Sequence, residues 1–441
     1  MIEFSQLVKK LLENLLFSRH TTDPQAELIC LSQLAASHEK YLDFAEALEY
    51  YKQLLTLSTQ IGVEEWQEFA MYNIGNCYRQ LNQFQESIKY FTQLVQITRN
   101  TGNRLLQVAA IWGLGTNYQN LGQYDKALEC FQNQLAISCE MDERSWEKRA
   151  LGSLGNVYQF TGDYQKALDY EQKALVIALE LRDIKSQGDS LANLASIYLQ
   201  LQKWEKAIEF SSESLGIGRE IANKELVMIS LHTMGQAYKW LDQYQKATDY
   251  LTAALKISYE MGEKRVRSAI LQGLSDVCSQ TNQLEQAIKY NQESLEVSRE
   301  IQNKFGEAAA LSRIATIYQS LNKNKKALTY YQQSLAILQK IGAKQSQQQI
   351  IFNIGSLYYN EQLYIPARES FYSALVLAKE LNNTPEEAKA ALALGATFRQ
   401  LNCYSEAIPH YRNAYSLYKI LGDENQAQKM LSTMYKLGVE M

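Results

Sequence analysis

The chain has 441 residues, a formal net charge of -4, 46% hydrophobic residues and only 4 prolines. A slightly acidic balance argues against a dominant nucleic-acid role, which needs a strongly basic face, and no apolar run approaches the roughly 18 residues of a membrane span. Few prolines leave helices uninterrupted, and apolar spacing at three and four, almost without alternation, predicts helices and no need for strands.

In chain order, residues 3–16 read first as one amphipathic helix. Phe4, Leu7, Val8, Leu11, Leu12, Leu15 and Leu16 form an apolar stripe. Lys9 and Lys10 interrupt it, unlike a signal peptide. From residue 28 to 427 one pattern then returns every 40 residues, ten times. Its clearest marker is a small residue: Ala47, Ser87, Ala127, Ala167, Ala207, Ala247, Ala287, Ala327, Ala367 and Ala407. Twelve residues before each sits another: Ala35, Gly75, Gly115, Gly155, Ala195, Gly235, Ser275, Ala315, Gly355 and Gly395. Small residues on two facing helices let their backbones approach, with large apolar neighbours filling the flanks.

Three residues after the first small position comes a mostly aromatic one, as in Tyr78, Tyr118, Tyr158, Tyr198, Tyr238, Tyr318, Tyr358 and Phe398. A turn follows, with Asn82, Gly122, Gly162, Asp242, Asn282, Asn322 and Asn402 in phase; such residues tolerate the left-handed conformation that ends a helix. A second aromatic opens the next helix, as in Phe44, Phe84, Tyr124, Tyr164, Trp204 and Tyr244. A weaker turn signal closes each unit at Gly62, Gly102, Gly262, Gly342 and Gly422. At the far end, Leu431, Met434 and Tyr435 occupy first-helix positions. The pattern therefore predicts a capping helix in residues 1–20, ten tandem repeats over 28–427 and a capping helix in 428–441, the caps covering the apolar faces that a solenoid leaves open. The stripe in residues 3–16 also suits a partner-binding element. Pro409 predicts a kink or a late start in the last second helix, because proline removes a hydrogen bond and crowds the carbonyl of Ser405. Pro24 and Pro385 each read as opening a helix behind an N-cap, Asp23 and Thr384 respectively.

The small–aromatic–turn–aromatic–small pattern resembles the tetratricopeptide repeat over nearly the whole chain. The period of 40 exceeds the usual 34 of that family, and the proline that closes a standard repeat is absent. The longer form is similar to that of the LGN/Pins spindle-orientation adaptors and related bacterial repeat proteins, with kinesin light chain more distant. The resemblance implies an all-α, right-handed superhelix (an α-solenoid) of about ten helical hairpins, lined inside by the first helix of each hairpin.

Catalytic groupings are thin. His20, His38, His232 and His410 lack metal-ligand spacing, so no metal site is expected. Gly113-Leu114-Gly115 lies mid-helix with no strand before it, so no nucleotide cofactor is expected. Cys30, Cys77, Cys130, Cys139, Cys278 and Cys403 form no CxxC motif and read as reduced thiols of a cytoplasmic protein.

What remains is a binding face. First-helix positions projected inward carry mainly uncharged amides and hydroxyls, which can donate to and accept from a peptide backbone. In the family, asparagine ladders at such positions hold partner peptides, and Asn73, Asn76, Asn156, Asn193 and Asn353 match them here. Arg79, Lys239 and Arg313 add charge, His232 is the one inward histidine, and Trp112, with Phe160, Trp240, Phe352 and Tyr359, supplies anchor rings. The expectation is a non-enzymatic adaptor for a protein or peptide partner. It takes no cofactor, nucleic acid or membrane insertion, and is a monomer or weakly self-associating. The alternative is a regulator whose superhelix changes pitch on binding a ligand or peptide, as in bacterial quorum-sensing relatives.

Overall fold

The computed structural model describes residues 2–437; Met1 and residues 438–441, the end of the expected C-terminal cap, lie outside them. Among the described residues there are 22 helices and no strand. In order they are α1 (Ile2–His20), α2 (Pro24–Lys40), α3 (Phe44–Ile61), α4 (Glu64–Gln80), α5 (Phe84–Thr101), α6 (Arg104–Asn120), α7 (Tyr124–Glu140), α8 (Arg144–Thr161), α9 (Tyr164–Glu180), α10 (Ile184–Gln200) and α11 (Trp204–Glu220). They continue as α12 (Lys224–Trp240), α13 (Tyr244–Met261), α14 (Lys264–Gln280), α15 (Leu284–Glu300), α16 (Lys304–Ser320), α17 (Asn324–Lys340), α18 (Lys344–Asn360), α19 (Tyr364–Glu380), α20 (Thr384–Gln400), α21 (Tyr404–Ile420) and α22 (Glu424–Lys436). The chain divides into two units, Met1–Leu226 and Val227–Met441. Helices α1 to α11 in the first and α13 to α22 in the second each pack on their neighbours in sequence, the arrangement of an α-solenoid. The even-numbered helices also touch one another across the intervening one, as α4 does α6, α6 does α8, and α14 does α16. They therefore form the tighter, inner layer of each unit.

The turns set this regularity. A residue with positive φ recurs every 20 residues, from Thr22 (52°) to Gly422 (73°). All but the turn at Gly102 close their helix in the same way: at the end of α4, Gln83 N donates to Tyr78 O at 2.8 Å and Asn82 N to Arg79 O at 3.1 Å. This is a Schellman motif, and the residue completing it is also the N-cap of the next helix. Both kinds of turn are equally tight, although glycine marks only some of them. Leu42 (φ 63°), Gln202 (57°) and Gln362 (62°) adopt the left-handed conformation without the residue types that favour it.

A polar position then ties several even helices to the one before. Gln67, Gln187 and Gln347 donate side-chain hydrogen bonds to carbonyls nine residues earlier, Ser58 O (3.1 Å), Ala178 O (3.2 Å) and Leu338 O (2.9 Å). At two of the places where this position is glutamate, an arginine at the end of the preceding helix meets it, Arg19–Glu27 (2.7 Å) and Arg299–Glu307 (2.8 Å).

The small positions work in two ways. Backbones approach where Ser87 Oγ donates to Gly75 O at 2.7 Å. The same glycine also makes room for a ring sixteen residues later: a Cβ at Gly75 would lie 2.9 Å from Phe91, and one at Gly115 2.5 Å from Phe131. The aromatic column stacks on a second column of the odd helices, with centroids 5.6 Å apart for Tyr78–Tyr90, 5.5 Å for Tyr158–Tyr170 and 5.3 Å for Tyr238–Tyr250. Lys166 and Lys246 lie over Tyr158 and Tyr238.

Three expectations are corrected. Helix α21 starts at Tyr404, in phase with its equivalents, so Pro409 causes no late start. Pro409 is exposed, and water can take the carbonyl it frees. The N-cap before Pro385 is Asn383, whose side chain accepts from Glu386 N, and not Thr384. The stripe on α1 is only partly covered: Leu11 and Leu15 are buried, whereas Leu7, Leu12 and Leu16 are exposed.

Two stability outcomes follow from these contacts. Leu42 is exposed and left-handed, so Leu42→Gly is expected to stabilise the N-terminal unit by up to about 1 kcal/mol, read as a higher urea midpoint. Ala207 is fully buried against its hairpin partner, and Ala207→Leu is expected to cost about 1–3 kcal/mol by overpacking. An unchanged melting curve for Ala207→Leu would contradict the packing described.

Candidate inner-face binding site

The residues singled out from the sequence all lie on even-numbered helices, because an inward position recurs only every second helix. The structure groups them differently from a simple amide ladder.

In the N-terminal unit, α4 carries Asn73, Asn76 and Arg79. Asn73 Nδ2 donates to Phe69 O of its own helix at 2.9 Å, and Asn76 Oδ1 accepts from Arg79 Nη2 at 3.2 Å. The Arg79 guanidinium lies 5.3 Å from the ring centre of Trp112 on α6, and Arg149 on α8 lies 5.0 Å from the same ring. Trp112 is thus held by cations from the hairpins before and after it. Arg149 also lies 4.8 Å from the ring of Trp146. Cation–ring contacts of this kind are worth about 0.5–2 kcal/mol each, and they fix the orientation of a half-buried indole. Asn156, on α8, is half-buried, and its amide makes no hydrogen bond among the described residues.

Asn193, on α10, is committed instead. Its Nδ2 donates to Glu171 Oε1 at 3.0 Å. Glu171 comes from α9, in a column that elsewhere holds Tyr51, Phe91, Phe131, Leu251, Tyr331, Phe371 and Tyr411, with the uncharged polar residues Ser211 and Asn291 at the other two places. It is 1% exposed, and its Oε2 has no partner. Burial raises its pKa to about 8, against the hydrogen bonds from Asn193 and Ser190; the charge of Asp189 adds to the rise. Burial likewise raises the pKa of Asp189. These groups line a pocket of about 520 Å³ between α8 and α10.

In the C-terminal unit, Asp276 on α14 joins two of the expected cations: Lys239 Nζ on α12 lies 3.1 Å from Oδ2, and Arg313 on α16 pairs with Oδ1. His232 is neutral at ordinary pH, its pKa lowered to about 4 by burial and by Lys239. Its Nε2 lies 3.3 Å from Gln236 Nε2, so the amide donates to the unprotonated ring nitrogen. Asn353, on α18, lines a second pocket of about 330 Å³ with Arg313 and Phe305. Of the remaining rings, Phe160 and Trp240 are exposed, whereas Phe352 packs on Phe371 at 5.2 Å and serves the core.

Sequence reasoning passed over Arg149 and Glu171. Arg149 falls outside the first-helix positions projected inward from the sequence. Glu171 was legible as the one charged residue in a column of mostly large apolar side chains.

Among known proteins, the family model described as tetratricopeptide repeat matches residues 26–100, 107–180, 187–260 and 265–340, more than half of the chain. The chain belongs to the tetratricopeptide repeat family. A model of anaphase-promoting complex subunit 5 matches residues 359–441. No curated protein matches. Among solved structures, a signal-transduction ATPase with numerous domains and a tetratricopeptide repeat sensor from Pyrococcus horikoshii is similar, with TM-score 0.58 and 14% identity. That match covers 78% of this chain and 55% of the ATPase, so the chain spans only about half of that relative. Aspartyl phosphate phosphatase F from Bacillus subtilis gives TM-score 0.53 at 12% identity, covering 79% of this chain and 92% of its own. The apo form of RapI gives 0.51 at 14%, covering 63% and 99%. At these identities the likeness is one of fold.

The buried carboxyl makes stability depend on pH. Because the folded pKa of Glu171 stands above its unfolded value, the folded state retains a proton that the unfolded chain gives up. The resulting stabilisation is complete below the ordinary glutamate pKa and is lost as pH rises toward about 8. Glu171→Gln keeps the shape without the charge. It is expected to be more stable than the parent by an amount that grows between about pH 5 and pH 8, reaching about 1–3 kcal/mol. Urea midpoints measured across that range should diverge; parallel curves would show that Glu171 is ordinarily ionised.

Proposed function

We propose that this chain is a protein-interaction scaffold that holds a segment of a partner protein along the inner layer of even-numbered helices. The observation that carries the reading is Trp112, fixed between Arg79 and Arg149 on an inner face of the N-terminal unit that also presents the uncommitted amide of Asn156; Asn353 offers its amide on the inner layer of the C-terminal unit. An oriented ring gives an anchor at low entropic cost, and an amide both donates to and accepts from a peptide backbone. On this reading residues 28–427 form the binding array and residues 1–20 and 428–441 its caps. The protein works in the cytoplasm without catalysis, cofactor, metal or nucleic acid, as a monomer or in weak self-association. Asn73, Asn76 and Asn193 support the face from within, since their amides are engaged by the protein itself. His232, Lys239 and Arg313 shape its C-terminal stretch.

The test uses a partner captured from the source cell with the full chain as bait. Asn156→Ala combined with Asn353→Ala is expected to weaken binding about five- to hundredfold, from roughly 0.5–1.5 kcal/mol per lost hydrogen bond. The exposed odd-helix pair Lys173→Ala with Glu213→Ala should change affinity little. The reverse pattern in a titration calorimetry series would move the partner to the other face.

A further inference from the structure

Two residues shape the pocket between α8 and α10. Gly152 stands where Tyr72, Trp112 and Phe352 stand in three other hairpins and where Ala192 and Ser312 stand in two more, and a Cβ added there would meet nothing within 4 Å. Glu171 stands where most hairpins place a ring or an aliphatic chain. One substitution opens space on the inner face, and the other puts a carboxyl group at its floor.

Two of the three cations around the pocket are already engaged. Lys148 pairs with Asp183 and lies 2.7 Å from Ser186 Oγ. Arg149 lies over Trp112 and Trp146. Lys185 stands exposed at the rim, one helical turn before Asp189. The carboxyls are the groups left over: among the described residues neither Glu171 nor Asp189 takes part in an ion pair, and the buried Oε2 of Glu171 has no hydrogen-bond partner. Asp189 is also the charge that acts on Glu171, so the field at the floor is acidic. A buried acid beside another acid keeps its proton for want of a cation.

We infer that this pocket receives one lysine or arginine side chain of the bound partner, with the cationic head between Glu171 and Asp189. The aliphatic stem then lies beside Gly152, where the absence of a side chain leaves space. An acidic side chain would face Asp189, with Lys148 and Arg149 already engaged elsewhere. The inference deepens the inner-face reading and rests on it, but its test needs no natural partner. An arriving cation displaces the proton of Glu171, so binding tightens as pH rises. The charged groups that share this field are Lys148 and Arg149 from α8, Asp183 at the start of α10, Lys185 and Asp189 within it, and Glu225 of α12, which acts on Asp189.

The experiment titrates the full chain, with labelled glutamate carboxyls, against acetyl-Ala-Ala-Lys-Ala-Ala-amide at millimolar concentration. The same peptide with glutamate or norleucine at its centre provides the comparison. The lysine peptide is expected to shift the Glu171 carboxyl resonance, to bind more tightly at about pH 9 than at about pH 6, and to bind at least about tenfold more weakly to Glu171→Gln. Circular dichroism of that variant confirms its fold. Four results would overturn the inference: no binding of the lysine peptide, equal binding of the norleucine peptide, preference for the glutamate peptide, or undiminished binding to Glu171→Gln. Failure of the Asn156 and Asn353 variant to weaken partner capture would count against the scaffold reading instead, leaving these peptide results unaffected.

Discussion

The inner face depends on a turn that never changes length. All the helices from α1 to α21 except α5 end in the same pair of backbone hydrogen bonds with one left-handed residue, and the residue that completes them caps the next helix. No slack is left in which one hairpin could rotate against the next. Residues forty positions apart therefore meet the same surroundings, and a side chain that departs from its column changes the surface at one place only.

The packing beneath follows the same logic of matched departures. Glycine at 75 and 115 faces phenylalanine at 91 and 131, and the carbonyl of Gly75 is reached by Ser87. Close approach and ring insertion are alternatives to added bulk at one crossing, which is why the small residues recur so faithfully. On the inner layer the rules relax. Gly152, Trp112 and His232 occupy equivalent positions with unrelated side chains, and differences of that order separate a pocket from a filled surface.

Much of this was legible in the sequence, for a physical reason. The period of 40 residues carried the helices, the hairpins and the small positions, because close packing tolerates few residue types. The left-handed turns at Leu42, Gln202 and Gln362 were not legible, since backbone geometry imposed by both flanking helices overrides local preference there. At the candidate site, column phase put Asn73, Asn76 and Asn193 on inner helices. Phase alone does not show that Asn73 bonds its own helix or that Asn193 is held by a carboxylate from the outer layer. Hydrogen-bond partners depend on the reach of neighbouring side chains, and so does the sandwich around Trp112, whose second cation, Arg149, lies outside the projected columns.

The constancy of the turns also limits how such a chain can change in length. One residue added to a turn would rotate everything after it by about 100°, sending rings into solvent and lysines inward. Forty residues added or removed return every column to itself. Shorter and longer versions of this chain that still fold should therefore differ by whole hairpins. The pocket beside Gly152 can be carried, copied or lost as one module without disturbing the packing on either side.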